Sequence, residues 1–149
     1  MGRVIGSVIA GYVAIFVAVF VLMTLAWMLL GPAGSFQPGT WDVTTTWIVV
    51  SVVVGLVGAI AGGYVCALVA RDPRGPKALV GVVVVLGILF AIPVLTGGGD
   101  AVLGPRPDVV PMMDAMQRAQ QPAWIALMNP TLGAIGVLIG ARLRPTQSA

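Results

Sequence analysis

The chain has 149 residues, 58% of them hydrophobic and only 9% charged, with a mean hydropathy of +1.03. Soluble domains are roughly half apolar and a quarter charged, and a water-soluble globule of this composition would expose large apolar patches, so the sequence points to lipid as the main solvent. The acids are five aspartates, histidine and glutamate are absent, and the net charge of +3 comes without a basic patch interleaved with aromatics; enzymatic chemistry, a cofactor, a metal centre and a nucleic-acid partner are therefore not expected.

No charge interrupts the chain between Arg3 and Asp42, and residues 4–30 are long enough to cross a hydrocarbon core of roughly 30 Å with some tilt. The run is about twice the length of a signal-peptide apolar region and no A-x-A-like cleavage site follows it, so it is expected to stay as a first transmembrane helix. Myristoylation at Gly2 is not expected either, because Gly6 stands where the motif needs Ser or Thr and Ser7 comes one place late. Gly6, Ala10, Ala14 and Ala18 form a small-residue stripe along this span. Residues 31–43, with Phe36, Pro38, Gly39 and Trp41, read as a short ordered turn in the membrane interface.

The second span is expected at about 46–70, its first amides capped by the run Thr44, Thr45 and Thr46. It carries Gly55, Gly58 and Gly62, a stripe that Ser51 and Cys66 extend. Cys66 is the single cysteine, so no intrachain disulfide exists. The run Arg71-Asp72-Pro73-Arg74-Gly75-Pro76-Lys77 concentrates charge and helix breakers, which predicts a tight helical hairpin into a third span at about 78–96. Pro93 is expected to kink that span near its far end.

The segment 97–121 is the longest polar stretch. Gly97-Gly98-Gly99-Asp100 reads as a flexible start, without the lysine and following helix of a phosphate-binding loop. A short interfacial helix is predicted from near Pro111, with Met112, Met113 and Met116 on one apolar face and Asp114 paired to Arg118 four residues on. Thioethers are soft ligands for Cu(I), but no His or Cys stands nearby. The three methionines are therefore read first as packing groups and as a candidate partner-docking surface. A fourth span follows at about 122–141, with an expected kink at Asn129-Pro130 and with Gly133, Gly136 and Gly140 repeating the G-x-x-G-x-x-x-G spacing of the second span. These six glycines are the expected helix-packing positions, because small residues let helix backbones approach closely in lipid. The shared spacing, with Gly58-Ala59-Ile60 echoed by Gly133-Ala134-Ile135, also suggests a weak parallel internal repeat.

Lys and Arg set orientation. One side holds Arg3, Arg71, Arg74, Lys77, Arg142 and Arg144, and the other only Arg106 and Arg118, so the first side is expected in the cytosol. Trp27, Trp41, Trp47 and Trp124 are expected as an aromatic belt at the opposite boundary. None of the spans contains an ionisable Asp, Lys or Arg, which argues against proton-coupled transport. The interior polar groups Tyr12, Thr24, Ser51, Tyr64, Thr96, Asn129 and Thr131 are expected to bond to neighbouring helices or backbone.

The sequence therefore predicts an all-α, four-transmembrane-helix bundle, a polytopic protein forming one integral membrane domain over residues 1–149. Both termini are expected in the cytosol, and the sevenfold excess of Arg over Lys suggests a bacterial inner membrane. The expected partners are the lipid bilayer and either other membrane-protein subunits or further copies of the chain. The expected function is non-enzymatic: an accessory, scaffolding or assembly subunit of a larger membrane complex, such as an energy-converting one. The alternative is a small homo-oligomeric transporter or channel.

Overall fold

The computed structural model describes residues 2–96 and 104–144; the triple glycine 97–99 and Asp100 lie outside the described residues. Among the described residues five helices follow one another: α1 (Gly2–Ser35), α2 (Thr45–Ala70), α3 (Arg74–Leu95), α4 (Met112–Arg118) and α5 (Ala123–Arg142). Four of them, all but α4, are long and apolar enough to cross a membrane. The all-α bundle read from the sequence is the observed fold.

Local chemistry explains where each helix starts and stops. α1 is broken at Gly31, whose φ of 59° and ψ of −174° are non-helical, a conformation open to glycine because it has no Cβ. Pro32 then starts a further turn, where its missing N–H costs nothing. Span one therefore ends near Leu30 as expected, and the turn 32–35 is a separate piece. The Thr44 hydroxyl accepts the Trp47 amide at 3.1 Å and donates to the Gly34 carbonyl at 2.6 Å, so one side chain caps α2 and ties it to the end of α1.

α3 begins a turn earlier than the breakers between Arg71 and Lys77 suggested. Asp72 Oδ1 accepts the Arg74 amide at 2.8 Å, and Pro73 and Pro76 both fall where helical N–H groups have no partner anyway. The prolines thus start a helix. The reversal itself takes a left-handed Arg71, φ 54°, whose amide bonds to the Ala67 carbonyl. At the other extreme α3 continues through Pro93 to Leu95, and α5 runs helically through Pro130.

Packing is not the simple hairpin pair that the short α2–α3 connection implied. α2 lies between α1 and α5, while α3 packs mainly on α5 and meets α1 and α2 much less. The start of α1, the end of α2, the start of α3 and the end of α5 converge, which places Arg71, Arg74, Lys77, Arg142 and Arg144 at one end of the bundle. Two observations fix this: a Cβ on Gly75 would touch Ala70 and Ser7, and Arg144 Nη1 donates to the Ala67 carbonyl at 3.0 Å. Residues 31–44 and 104–121 close the other, tryptophan-bearing end.

Candidate functional site

Two features carry the residues singled out from sequence: the seams where helix backbones touch, and the cap at the tryptophan end. On the α1 seam, a methyl on Gly58 would sit 2.6 Å from Val19 Cγ2, and one on Gly62 would strike Ile15 and lie 2.6 Å from the Gly11 carbonyl oxygen. Gly11 reciprocates, since its own Cβ would lie 2.9 Å from the Gly62 oxygen and 2.7 Å from Cys66 Cβ. On the α5 seam, Gly140 lies against the Ile60 carbonyl and the Tyr64 amide, Gly63 against the Val137 carbonyl, and Gly136 against Ala59, where a Cβ would come within 2.6 Å. Such approaches bring Cα–H groups onto facing carbonyls and give dispersion contacts that lipid cannot supply.

The six expected glycines therefore divide. Gly58 and Gly62 serve α1, Gly136 and Gly140 serve α2, and Gly133 turns to α3, where a Cβ would lie 2.8 Å from Val83 Cγ1. Gly55 meets nothing within 4 Å. The two matching glycine patterns thus face unlike partners and do not form one shared face. The stripe on α1 is also displaced: Gly6 is open, and the line that packs is Ser7 and Gly11 with Ile15 and Val19. Gly11, Gly63 and Gly87 are seam residues that the sequence reading missed; Gly87 receives the ring of Pro130. The signal was present as doublets. Gly58-Ala59, Gly62-Gly63 and Cys66-Ala67 write two small-residue lines one residue apart, roughly 100° around a helix, and so mark α2 as the element with two neighbours.

Hydroxyls inside the spans bond to their own helices. Ser7, Thr24, Ser51, Thr96 and Thr131 donate to carbonyls three or four residues back, at 2.7 to 3.4 Å. Asn129 differs. Its residue is exposed on α5, six positions from the helix start and so about 9 Å along the axis. Tyr12 and Tyr64, the two Gly-Tyr-Val tyrosines, belong to different interfaces, Tyr12 beside the groove described below and Tyr64 with its backbone toward α5.

At the tryptophan end a second core forms from Ala26, Phe36, Trp41, Val43, Trp47, Val110 and Ala115. The expected aromatic belt is mostly inside it. Trp41 is 4% exposed and Trp47 8%, whereas Trp124 at 55% keeps the boundary exposure expected of all four. The reason is geometric. Phe36 packs edge-on to both Trp27 and Trp41, with centroids 6.2 and 5.8 Å apart, and Trp27 packs edge-on to Trp47, so the rings satisfy one another. The Trp41 indole N–H donates to the Gly104 carbonyl at 3.1 Å. Backbone bonds lock the loops together, with Val43 N–H to Gln120 O at 3.2 Å, Gln120 N–H to Trp41 O at 2.9 Å and Arg106 N–H to Gly39 O at 3.1 Å.

Arg118, expected to pair with Asp114, lies over the Trp41 ring at 5.3 Å, and Arg106 over Phe36 at 5.5 Å. An exposed ion pair on a helix is worth about 0.3–0.5 kcal/mol, whereas a cation over an aromatic face gives about 0.5–1 kcal/mol and also buries the arginine stem. The ring contact is the better use of Arg118.

The methionines do not share one face. α4 turns Ala115 inward, 4% exposed, into the cluster that holds Phe36 and Trp41. Met112 and Met116 consequently overhang a groove of about 430 Å³ that runs along α1 from Tyr12 past Phe16 and Phe20 to Trp27. Met113 points elsewhere, 63% exposed, and Met116 is 61% exposed. Among the described residues, no group of three or more His, Cys, Asp or Glu could hold a metal ion. The chain matches no family model, no curated protein and no solved structure.

Proposed function

We propose that the chain is a non-enzymatic accessory or assembly subunit of a larger membrane complex, associating through its tryptophan-end half. Its orientation is taken from the charge bias, with the arginine-rich end and both termini in the cytosol, and a bacterial inner membrane is its proposed location. The observation that carries this reading is the exposure of Asn129 within an apolar helix. Lipid tails cannot bond to an amide, and leaving one unmet in hydrocarbon is costly, so the natural partner is a polar group on a helix of another subunit. Met113 and Met116 extend the same half of the molecule beyond the membrane, as adaptable side chains on a cap held rigid by its aromatic core.

The test is assembly in mild detergent, followed by native electrophoresis and by photo-crosslinking from positions 113 and 129. An unlike chain should crosslink at both positions in a complex of defined size. Asn129→Leu should dissociate that complex and Asn129→Gln should retain it. Crosslinks solely between copies of this chain, in a closed ring, would replace the proposal with the homo-oligomeric transporter or channel. A complex indifferent to both substitutions would remove its basis.

A further inference from the structure

At the basic end, a cleft of about 770 Å³ opens between the end of α2, the start of α3 and the end of α5. Its rim carries Arg71, Lys77, Arg142 and Arg144, and one carboxylate, Asp72. That carboxylate accepts the Arg74 amide at 2.8 Å and keeps its single negative charge, so it offsets one of the four positive charges and leaves a surplus of three. Four cations from three separate elements thus surround one space with a single counter-charge. Mutual repulsion of such a group favours an anion between them. Arg144 is held in place by its bond to the Ala67 carbonyl at 3.0 Å, which spends one N–H and leaves the rest of the guanidinium fork available for an anionic oxygen.

The remainder of the cleft is apolar. Pro76 and Ala141 lie on its walls, and Leu138, 43% exposed, continues from it along the outside of α5 toward the bundle's middle. A cationic rim at one boundary of the membrane-spanning region, joined to an apolar wall running inward, matches the two halves of a phospholipid. A soluble anion would use the rim alone. We infer that this cleft binds the phosphate headgroup of an anionic phospholipid, with Arg71, Lys77, Arg142 and Arg144 around the phosphate and an acyl chain along Leu138. Basic pockets between transmembrane helices are suited to such headgroups. The inference is independent of the subunit role proposed above, because it concerns the opposite end of the molecule and needs no protein partner.

The experiment uses the whole chain in nanodiscs of phosphatidylcholine with or without phosphatidylglycerol, reading lipid retention by native mass spectrometry and thermal stability in parallel. The comparison is with Lys77→Gln/Arg142→Gln, which leaves Arg3, Arg71, Arg74 and Arg144 to maintain the charge bias. Unchanged protease accessibility of the termini confirms that the variant inserts as the parent does. Phosphatidylglycerol should be retained selectively and should raise the melting temperature of the parent chain. The variant should hold it roughly thirtyfold more weakly, the equivalent of about 2 kcal/mol for two cations. Inorganic phosphate at the same concentration should reproduce none of this. Equal retention by parent and variant, equal retention of phosphatidylcholine, or a full stabilising effect from inorganic phosphate alone would each overturn the inference.

Discussion

The two ends of the bundle are held by different physics. Toward the basic end, backbone meets backbone. Gly11 and Gly62 lie against each other's carbonyls, Gly140 lies on Ile60, and Gly63 on Val137. Toward the tryptophan end Gly55 on the α1 side of α2 faces open space, and a cluster of rings from α1, α2 and the loops makes the contacts instead. Lipid offers no hydrophobic drive to bring helices together, so the first kind of contact needs smooth surfaces and close approach. The second kind sits where chain reversals emerge and buries area as a soluble core does. Substitution should therefore be felt globally at one end and locally at the other.

The largest effect is expected from Gly140→Leu, because the neighbour that a Cβ meets is the backbone of Ile60 and Tyr64, which cannot rotate aside. Overpacking against side chains costs about 1–3 kcal/mol. Against backbone on a central helix the loss should exceed about 4 kcal/mol, in the exceptional range for single substitutions. Thermal unfolding in detergent, followed by circular dichroism, should show the whole bundle lost or its transition abolished. The pair Gly58→Leu and Gly136→Leu should follow, opening the α1 and α5 seams separately. A native-like melting curve for Gly140→Leu would mean that α2 and α5 do not touch as described.

Next in size is Trp41→Ala. The ring is 4% exposed, packs edge-on to Phe36, lies under Arg118 and bonds to Gly104, and truncating a buried tryptophan costs about 3–5 kcal/mol. The loss should stay local, since the bundle seams do not depend on it. Hydrogen exchange should accelerate at Val43 and Gln120, whose amides bond across the cap, while amides in the middle of α2 keep their protection. Acceleration throughout α2 would show that the cap and the bundle form one cooperative unit.

How much of this could be read in advance differs by end in the same way. The spans were legible because hydropathy and length fix them to within about a turn, the start of α3 at Arg74 being the widest miss, and Thr44 was legible as a cap because it precedes an apolar run. Partner choice was not. With 20 glycines in 149 residues, spacing cannot say which glycine faces which helix, and only the doublets Gly58-Ala59 and Gly62-Gly63 announce that α2 has two neighbours. Pro73 and Pro76 were misread because a proline that ends one helix and one that begins the next look alike in sequence. The tryptophans were read at the correct end, but the burial of Trp41 and Trp47 was not legible, because a belt and a cap core both put indoles near a boundary, and only the tertiary pairing of residues 36–43 with 104–120 separates them.

The smallest effect is the sharpest test of the contrast. Gly55, Gly58 and Gly62 are equivalent as a spacing pattern, yet a Cβ on Gly55 meets nothing and one on Gly58 meets Val19 at 2.6 Å. Valine is stiff at χ1 and cannot easily turn its methyl away, so Gly58→Ala should cost on the order of 1 kcal/mol. Gly55→Ala should instead be neutral or stabilise by up to about 1 kcal/mol, the intrinsic advantage of alanine over glycine inside a helix. Parallel thermal melts of the two variants decide it. If Gly55→Ala loses as much as Gly58→Ala, then α1 and α2 stay in contact along their whole length, and the division of the molecule into a backbone-packed end and a ring-packed end is wrong.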